Sequence, residues 1–337
     1  MKVYPHLINR LTPVLNPLIL GLIVFLLVVP MMLHAQSGRS QDDLFSITFP
    51  NENEGWISGR YGTILHTSDG GKTWSRQETG TEYTLSAIHF IDSKNGWAVG
   101  EEGIIIHTND GGKTWGRQKS PVNLFLMDVH FLTPTKGFIV GERTHILSTN
   151  DGGKTWKIQF KDLDYILKAI SFCDARNGWV VGEFGYIYRT RDGGDTWEQQ
   201  AGFSDLSEET GELIGGTYLF DVIAVNPLTV WAVGIDGYVT KTIDGGKTWQ
   251  QVPVKGLKAP FFSISSDRQN AFVIGGTGNC FSSIDGGKAW RAIEFKPPIK
   301  YSWIYGIVWR KGSSFIAVGK EGVIYSSTSG AWEKIVF

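Results

Sequence analysis

Cysteine is scarce in this sequence, and neither sign of charge predominates. The 337 residues include two cysteines, Cys173 and Cys280, with no other cysteine or histidine at the spacing of metal ligands. We therefore expect two buried free thiols, no disulfide and no zinc site. The formal net charge is −1, and the 32 lysine and arginine residues are scattered. Because binding to a phosphate backbone requires clustered basic residues, the sequence excludes nucleic acid as a partner.

Long apolar runs are also missing, except close to the N-terminus. Two basic residues precede an almost unbroken apolar run from Leu18 to Leu33. The run is shorter than the about 20 residues of a membrane-spanning helix, and Ala35 supplies a small residue for cleavage. We assign residues 1–35 to an export signal, with an uncleaved N-terminal anchor as the alternative, and residues 36–43 to a short linker. Either assignment predicts an extracytoplasmic protein, periplasmic or secreted, which is membrane-anchored if the signal is retained.

Glycine and tryptophan are abundant instead, with 42 and 13 copies. They concentrate in the motif Asp-Gly-Gly-x-x-Trp, which recurs at intervals of about 41 residues, and self-similarity at such a period indicates a repeat architecture. The aspartate and tryptophan of the six copies are Asp69 and Trp74, Asp110 and Trp115, Asp151 and Trp156, Asp192 and Trp197, Asp244 and Trp249, and Asp285 and Trp290. A degenerate seventh copy at 327–332 keeps Trp332 and lacks the aspartate.

A second landmark gives the number of units. An aromatic residue in a short apolar strand that ends in glycine occurs at Trp56, Trp97, Phe138, Trp179, Trp231, Phe272 and Phe315. Within each unit, short alternating segments separated by glycine-bearing turns predict four strands, and helical amphipathic stripes are absent. We therefore predict an all-β fold over residues 44–337: a seven-bladed β-propeller of four-stranded antiparallel blades, the architecture shared by WD40- and YVTN-like repeats.

The repeated motif has a structural explanation. We expect the Thr or Ser two positions before each aspartate to end a third strand, and the carboxylate to accept N–H bonds across the Gly-Gly turn. The tryptophan is then directed between strands or blades. Six equivalent carboxylates around a ring cannot converge on one substrate atom, and one carboxylate per turn is too few oxygens for calcium. The motif therefore predicts no catalytic residue, no cofactor and no metal.

The turn sequence from Thr67 to Trp74 resembles the Asp-box, or BNR repeat, of sialidases and related propellers, which identifies a turn rather than an activity. The longer unit from Asn95 to Trp115, echoed at Asn177 to Trp197, is similar to the photosystem II stability and assembly factor family of seven-bladed propellers in photosynthesis. The resemblance covers residues 44–337. It implies a non-catalytic scaffold outside the cytoplasm that binds a protein partner, a membrane-complex subunit, and assists assembly or stability of that complex.

The loops on one side of the propeller are the candidate binding site. Strand alternation places the turns between second and third strands on the side opposite the Asp-box turns, together with the loops that precede each first strand. We predict a partner-binding face formed by Arg60, Tyr61, Glu101, Glu102, Glu142, Arg143, Glu183, Asp236, Lys320 and Glu321. The preceding loops are expected to add Tyr83, Phe125, Tyr165, Tyr218, Phe262, Trp303 and Tyr305. Aromatic side chains beside a few charges suit a peptide or a sugar.

The alternative function is a glycoside hydrolase or carbohydrate-binding propeller of the sialidase-like type. A sialidase requires three arginines around the substrate carboxylate, whereas Arg60 and Arg143 are the two that lie in suitable loops. The sequence leaves open whether two carboxylates of the candidate face form the catalytic pair of a glycosidase. One unit is lengthened by an acidic insertion at 202–216, which is either a partner contact or a tolerated loop. We expect a monomer.

Overall fold

The computed structural model describes residues 42–161, 164–202, 217–254, 259–299, 302–310, 314–328 and 331–335. Within these ranges the chain forms seven antiparallel sheets arranged as blades, which confirms the predicted propeller. The predicted export signal, most of the linker and residues 203–216 of the insertion lie outside the described residues. Among the described residues, no helix is long and apolar enough to cross a membrane.

Each blade is built from strands that are consecutive in sequence. Blade 1 contains β1 (Leu44–Thr48), β2 (Gly55–Gly59), β3 (Ile64–Thr67) and β4 (Ser75–Gln77). Blade 2 contains β5 (Leu85–Phe90), β6 (Gly96–Gly100), β7 (Ile105–Thr108) and β8 (Gly116–Arg117). Blade 3 contains β9 (Leu126–Phe131), β10 (Gly137–Gly141), β11 (Ile146–Thr149) and β12 (Lys157–Phe160). Blade 4 contains β13 (Leu167–Phe172), β14 (Gly178–Gly182), β15 (Ile187–Thr190) and β16 (Glu198–Ala201).

The last three blades follow the same order, with one added strand. Blade 5 contains β17 (Leu219–Ala224), β18 (Val230–Gly234), β19 (Val239–Thr242) and β20 (Gln250–Gln251). Blade 6 contains β21 (Phe261–Ser266), β22 (Phe272–Gly276), β23 (Cys280–Ser283) and β24 (Arg291–Ala292). Blade 7 contains β26 (Ile304–Arg310), β27 (Ser314–Gly319), β28 (Ile324–Thr328) and β29 (Ala331–Lys334), and β25 (Phe295–Lys296) pairs parallel to β29. The first strand of each blade is its inner strand and lines the central channel.

The ring closes between two complete blades rather than through a shared one. Leu44 and Ile57 of blade 1 lie in one buried cluster with Ile316 and Val318 of blade 7. The Arg310 guanidinium of blade 7 also donates a hydrogen bond to a backbone carbonyl of the blade 1 Asp-box turn. Because no strand crosses this junction, side-chain packing must hold it, as it holds every other blade junction.

The Asp-box turns have the geometry that the sequence predicts. In blade 2, the Thr108 hydroxyl donates to Asp110 Oδ1 at 2.8 Å and accepts the Gly112 N–H at 2.8 Å. Thr114 donates its N–H to Oδ1 at 2.9 Å and its hydroxyl to Oδ2 at 2.6 Å. Gly111 and Gly112 have φ of 77° and 83°, which glycine adopts without strain. These hydrogen bonds, led by that of the Thr114 hydroxyl, lower the pKa of Asp110 to about 2.

The same turn joins each blade to the one before it. The Trp56 ring of blade 1 stacks on Phe90 at 3.7 Å, and Phe90 meets Trp115 edge-on at 5.8 Å. Trp56 Nε1 and Gln77 Nε2 both donate to the Gly111 carbonyl, at 3.2 and 2.9 Å, and Trp115 Nε1 donates to Gln77 Oε1 at 3.3 Å. The set recurs between blades 2 and 3 as Trp97, Gln118, Phe131, Gly152 and Trp156. The Asp-box tryptophan is therefore a blade-to-blade contact, as predicted.

At one junction between blades, an arginine side chain takes the place of a phenylalanine ring. Blade 5 ends its inner strand with Ala224 where blades 2 to 4 have phenylalanine. The Arg189 guanidinium lies 4.7 Å from the Trp179 ring and donates to the Gly245 and Pro227 carbonyls. A cation–π contact thus occupies the space of the missing ring.

The cysteines are free, and the expectation of burial holds for one of them. Cys280 is buried in the blade 6 and blade 7 cluster. Cys173 is only half-buried, so the expectation was wrong for this residue, because it follows the inner strand of blade 4 at its solvent-facing end.

We predict that Gln118→Ala lowers the free energy of unfolding by about 1–3 kcal/mol, since it leaves Trp156 Nε1 without an acceptor and removes a donor from the Gly152 carbonyl. Urea unfolding followed by tryptophan fluorescence measures the change. Lys119→Ala alters the exposed neighbouring residue and is the matched control. An equal effect of the two substitutions would show that the glutamine hydrogen bonds do not stabilise the junction.

Candidate functional site

The predicted candidate residues lie on one face of the ring. The turns between second and third strands hydrogen-bond to the loops that precede the next inner strand: Gly62 N–H to the Tyr83 carbonyl and Gly103 N–H to the Leu124 carbonyl, both at 2.9 Å. On the opposite side, the Asp-box turns bond to the loops between first and second strands, as Gly70 does to the Asn53 carbonyl at 2.9 Å. We call the first side the turn face and the second the Asp-box face.

The turn face is built from type I′ turns that carry large side chains. In blade 2, Glu102 has φ 53° and ψ 31°, Gly103 has φ 67°, and the Ile104 N–H bonds to the Glu101 carbonyl at 2.9 Å. The first central position has positive φ at Tyr61, Glu102, Arg143, Phe184, Asp236 and Glu321. Type I′ turns favour Asn or Gly at that position, because other side chains are strained there. Tyr61, 62% exposed, is the most accessible aromatic residue of this face within the described residues.

Blade 3 carries additional strain at its turn. The second central position is Gly in the equivalent turns of blades 1, 2, 4, 5 and 7, but Thr144 occupies it in blade 3 with φ 55°. A β-branched residue is a conformational outlier in this region. Thr144 is buried, and its N–H donates to the Tyr165 carbonyl at 2.6 Å, so contacts with the neighbouring loop hold the strained backbone.

Three of the predicted binding carboxylates also have a structural contact. Glu101, Glu142 and Glu183 each accept, through Oε2, the backbone N–H of the residue that precedes the inner strand of their own blade. The donors are Thr84 at 2.9 Å, Phe125 at 3.0 Å and Ile166 at 3.0 Å. Each carboxylate therefore links a turn to the inner strand of its own blade.

The three basic residues predicted for the binding face are paired with carboxylates. Arg60 lies 3.4 Å from Asp43, Arg143 lies 3.7 Å from Asp164, and Lys320 lies 3.6 Å from Glu321. In contrast, Glu102 accepts a hydrogen bond from the neutral Asn123 amide, and Asp236 has no side-chain hydrogen bond or ion pair with any described residue. Among the described residues predicted for the binding face, the charge without an ion-pair partner is therefore negative.

The inner strands place a second set of aromatic residues around the channel. Phe262 and Tyr305 were expected in loops, but they lie within β21 and β26 at the second residue of each strand and face the channel. Sequence reasoning did not identify their equivalents Phe45 and Phe220, which are the second residues of β1 and β17. We call the contacting rings of Phe45, Phe220, Phe262, Trp303 and Tyr305 the aromatic arc; their centroids are 5.2 to 5.9 Å apart.

Non-aromatic residues occupy the equivalent positions in the other three blades. The second inner-strand position is Ser86 in blade 2, Met127 in blade 3 and Lys168 in blade 4. A cavity of about 360 Å³ opens between the seven inner strands and is lined by these residues and by four members of the aromatic arc: Phe45, Phe220, Phe262 and Tyr305. Desolvation lowers the pKa of Lys168, while the Glu183 and Glu142 carboxylates act to raise it.

Two channel carboxylates join neighbouring blades. Asp128 accepts the Ile170 N–H of the next blade at 2.9 Å, and Asp221 accepts the Ile264 N–H and the Ser263 hydroxyl of its next blade at 2.9 and 3.0 Å. Desolvation in the channel raises the pKa of Asp128 to about 7 and that of Asp221 to about 6. These contacts were not predicted from the sequence.

Near the Asp-box face, the channel contains two histidines. The His89 and His130 rings are 4.7 Å apart, and Arg268 donates to the Phe172 carbonyl at 3.5 Å beside them. Desolvation lowers the pKa of His89 to about 4 and keeps that of His130 well below its usual range. Both imidazoles are therefore neutral at pH 7. The described residues contain no group of three or more His, Cys, Asp or Glu side chains that could hold a metal ion.

The profile of one family, described as photosynthesis system II assembly factor YCF48, matches residues 34–122, 117–206 and 158–261. These overlapping segments cover more than half of the chain. The chain belongs to the YCF48 family. The resemblance noted from the repeat unit is thereby confirmed. A search of curated proteins finds no significant match to the sequence.

Solved propellers resemble the chain in fold. YCF48 bound to a D1 peptide is 18% identical, with a TM-score of 0.67 over 86% of this chain and 93% of that one. YCF48 from Cyanidioschyzon merolae is 20% identical, with a TM-score of 0.68 over 86% and 96%. A GH74 xyloglucanase from Xanthomonas campestris is 12% identical, with a TM-score of 0.69 over 88% of this chain and 54% of the enzyme. At these identities the likenesses show the fold alone.

We predict that Asp128 and Asp221 make stability fall as the pH rises. Their folded-state pKa values lie above the ordinary value near 4, so the folded protein binds protons more tightly, and the stabilisation present below pH 4 is lost as the pH passes through about 6 and 7. The double variant Asp128→Asn, Asp221→Asn keeps an oxygen acceptor and lacks this titration. Its stability relative to wild type should therefore rise by more than about 1 kcal/mol between pH 4 and pH 8 in urea unfolding.

Ser265→Ala is the control for this measurement. Ser265 also accepts an N–H of the next blade, from Trp309 at 2.9 Å, but does not titrate. Its effect on stability should be the same at both pH values. A pH-independent difference between wild type and the double variant would contradict the raised pKa values.

Proposed function

We propose that this protein is an exported, non-catalytic scaffold that binds a protein partner through its turn face and assists the assembly or stability of a membrane-associated complex. Membership of the YCF48 family supports this role, and a YCF48 of known structure binds a D1 peptide. The N-terminal basic and apolar sequence supports export to the periplasm or the exterior, with anchoring if the segment is retained.

The observation that carries the proposal is the composition of the type I′ turns. Six blades place a Tyr, Phe, Arg, Glu or Asp at the first central position, where positive φ favours Asn or Gly. A strained backbone repeated around one face costs stability at every turn and is typical of surfaces that position side chains for contact. The Asp-box turns, by contrast, use glycine at both of their positive-φ positions. The two kinds of turn therefore differ in the side chains that they present.

A glycoside hydrolase is the second candidate, because the channel cavity combines an aromatic arc with two carboxyls whose pKa values are raised. Both carboxylates already accept backbone N–H groups from neighbouring blades, which gives them a structural explanation. On the turn face, Glu101, Glu142 and Glu183 each have one oxygen bonded to a backbone N–H. The binding scaffold therefore accounts for more of the geometry.

The test removes turn side chains without changing the backbone. Tyr61 and Phe184 have positive φ, so Tyr61→Gly and Phe184→Gly relieve strain while deleting the side chain. Native protein captured in mild detergent and analysed by mass spectrometry should recover one membrane complex or its unassembled subunits. The double glycine variant should reduce that recovery at least about tenfold, as the loss of two interface anchors does.

Ile284→Ser is the control, since Ile284 is 79% exposed and lies beside an Asp-box turn. Equal loss of the partner with this variant would place binding on the other face. Turnover of a glucan oligosaccharide that disappears in Asp128→Asn or Asp221→Asn, with no protein recovered, would overturn the scaffold and support the hydrolase.

A further inference from the structure

The aromatic arc is an apolar surface with no partner among the described residues. Its five rings come from blades 5, 6, 7 and 1 and contact one another beside the open channel mouth. Trp303 is 41% exposed. A contiguous cluster of rings next to a cavity is typical of a surface that another molecule covers.

The charges around the arc define what can cover it. Arg60, Arg143 and Lys320 each lie within 3.7 Å of a carboxylate, whereas Glu102 and Asp236 form no ion pair with any residue that the structure describes. Lys168, on the channel wall opposite the arc, lies in the field of Glu142 and Glu183, two carboxylates against one ammonium. An approaching anion would therefore meet net repulsion, and an approaching cation net attraction.

We propose that the turn face docks a basic polypeptide segment with apolar side chains, which pack on the aromatic arc while its lysine or arginine side chains meet the free carboxylates. Aromatic faces also attract cations, so arc and carboxylates favour the same ligand. An acidic segment can pack on the rings but is repelled by the carboxylates of the turn face. A neutral sugar can pack on the rings but leaves these carboxylates without a partner. This inference rests on the proposed function, because it specifies the chemistry of the partner.

The experiment uses three fluorescein-labelled peptides of equal length: alternating Lys-Phe, alternating Glu-Phe, and alternating Lys-Ser. Fluorescence anisotropy with the full chain at low salt should show binding of the Lys-Phe peptide at least about tenfold tighter than either of the others. The interaction should weaken as salt is raised, since the pairing is electrostatic.

Two variants separate the contributions. Trp303→Ser removes the exposed ring of the arc, and the double variant Glu102→Gln, Asp236→Asn removes charge from exposed turn residues without touching the channel. Each should raise the Kd for the Lys-Phe peptide at least about fivefold, and the charge variant should also flatten the salt dependence. Glu52→Gln, an exposed charge removal on the Asp-box face, is the matched control and should leave the Kd unchanged. Unchanged melting temperatures in both test variants confirm that the propeller is intact.

Several outcomes overturn the proposal. Tighter binding of the Glu-Phe peptide would assign an acidic partner, and arc-dependent binding of a glucan oligosaccharide in place of the peptides would assign a sugar. Equal weakening by Glu52→Gln would show nonspecific attraction. A detergent capture that depends on Tyr61 and Phe184 but recovers a partner whose contact segment is acidic would leave the scaffold function standing while refuting this inference.

Discussion

The hydrogen bonds of each Asp-box carboxylate are the constraint on which the ring depends. In blade 2, Asp110 holds the Thr108 and Thr114 hydroxyls and fixes Gly111 and Gly112 at positive φ. This conformation turns the Gly111 carbonyl toward the preceding blade, where Trp56 and Gln77 donate to it. The motif is thus both a turn within one blade and an acceptor for its neighbour. Because no strand is shared between blade 7 and blade 1, such side-chain contacts are what close the ring.

Where the Asp-box motif or its hydrogen-bond partners differ between blades, another side chain makes an equivalent contact. Arg189 fills the space left by Ala224 and donates to the carbonyl of the next Asp-box glycine, Gly245. At the closing junction, Arg310 donates to the Gly70 carbonyl in the same way. The seventh blade lacks the aspartate and gains β25, whose Phe295 packs on Trp332 at 5.4 Å. Each exception preserves either the carbonyl acceptor or the buried ring, which identifies these two as the required parts of a junction.

The periodicity predicted the blades and the Asp-box turns because both follow from local sequence: a glycine pair, an aspartate and a tryptophan in fixed order. It also identified the turn residues as one face. It placed Phe262, Trp303 and Tyr305 on this face but did not identify Phe45 and Phe220, which alternate within strands as core residues do. The contacts of Asp128 and Asp221 could not be predicted either. Each carboxylate accepts a backbone N–H from a residue more than 40 positions away, and no sequence pattern identifies such a donor. The export signal and the insertion remain predictions, as they fall on residues that the structure does not describe.

Counting charges predicts an acidic turn face but not which of its charges are paired. In sequence the face offers Arg60, Arg143 and Lys320 among a larger number of acidic residues. The structure gives each of them a carboxylate, two of which, Asp43 and Asp164, lie outside the predicted face. Glu101, Glu142 and Glu183, in turn, bond to backbone N–H groups, which stabilise a carboxylate without cancelling its charge. The paired carboxylates therefore neutralise these three cations, and the remaining negative charge faces outward. The same side chains that fix the turns thus also determine which ligands can approach them.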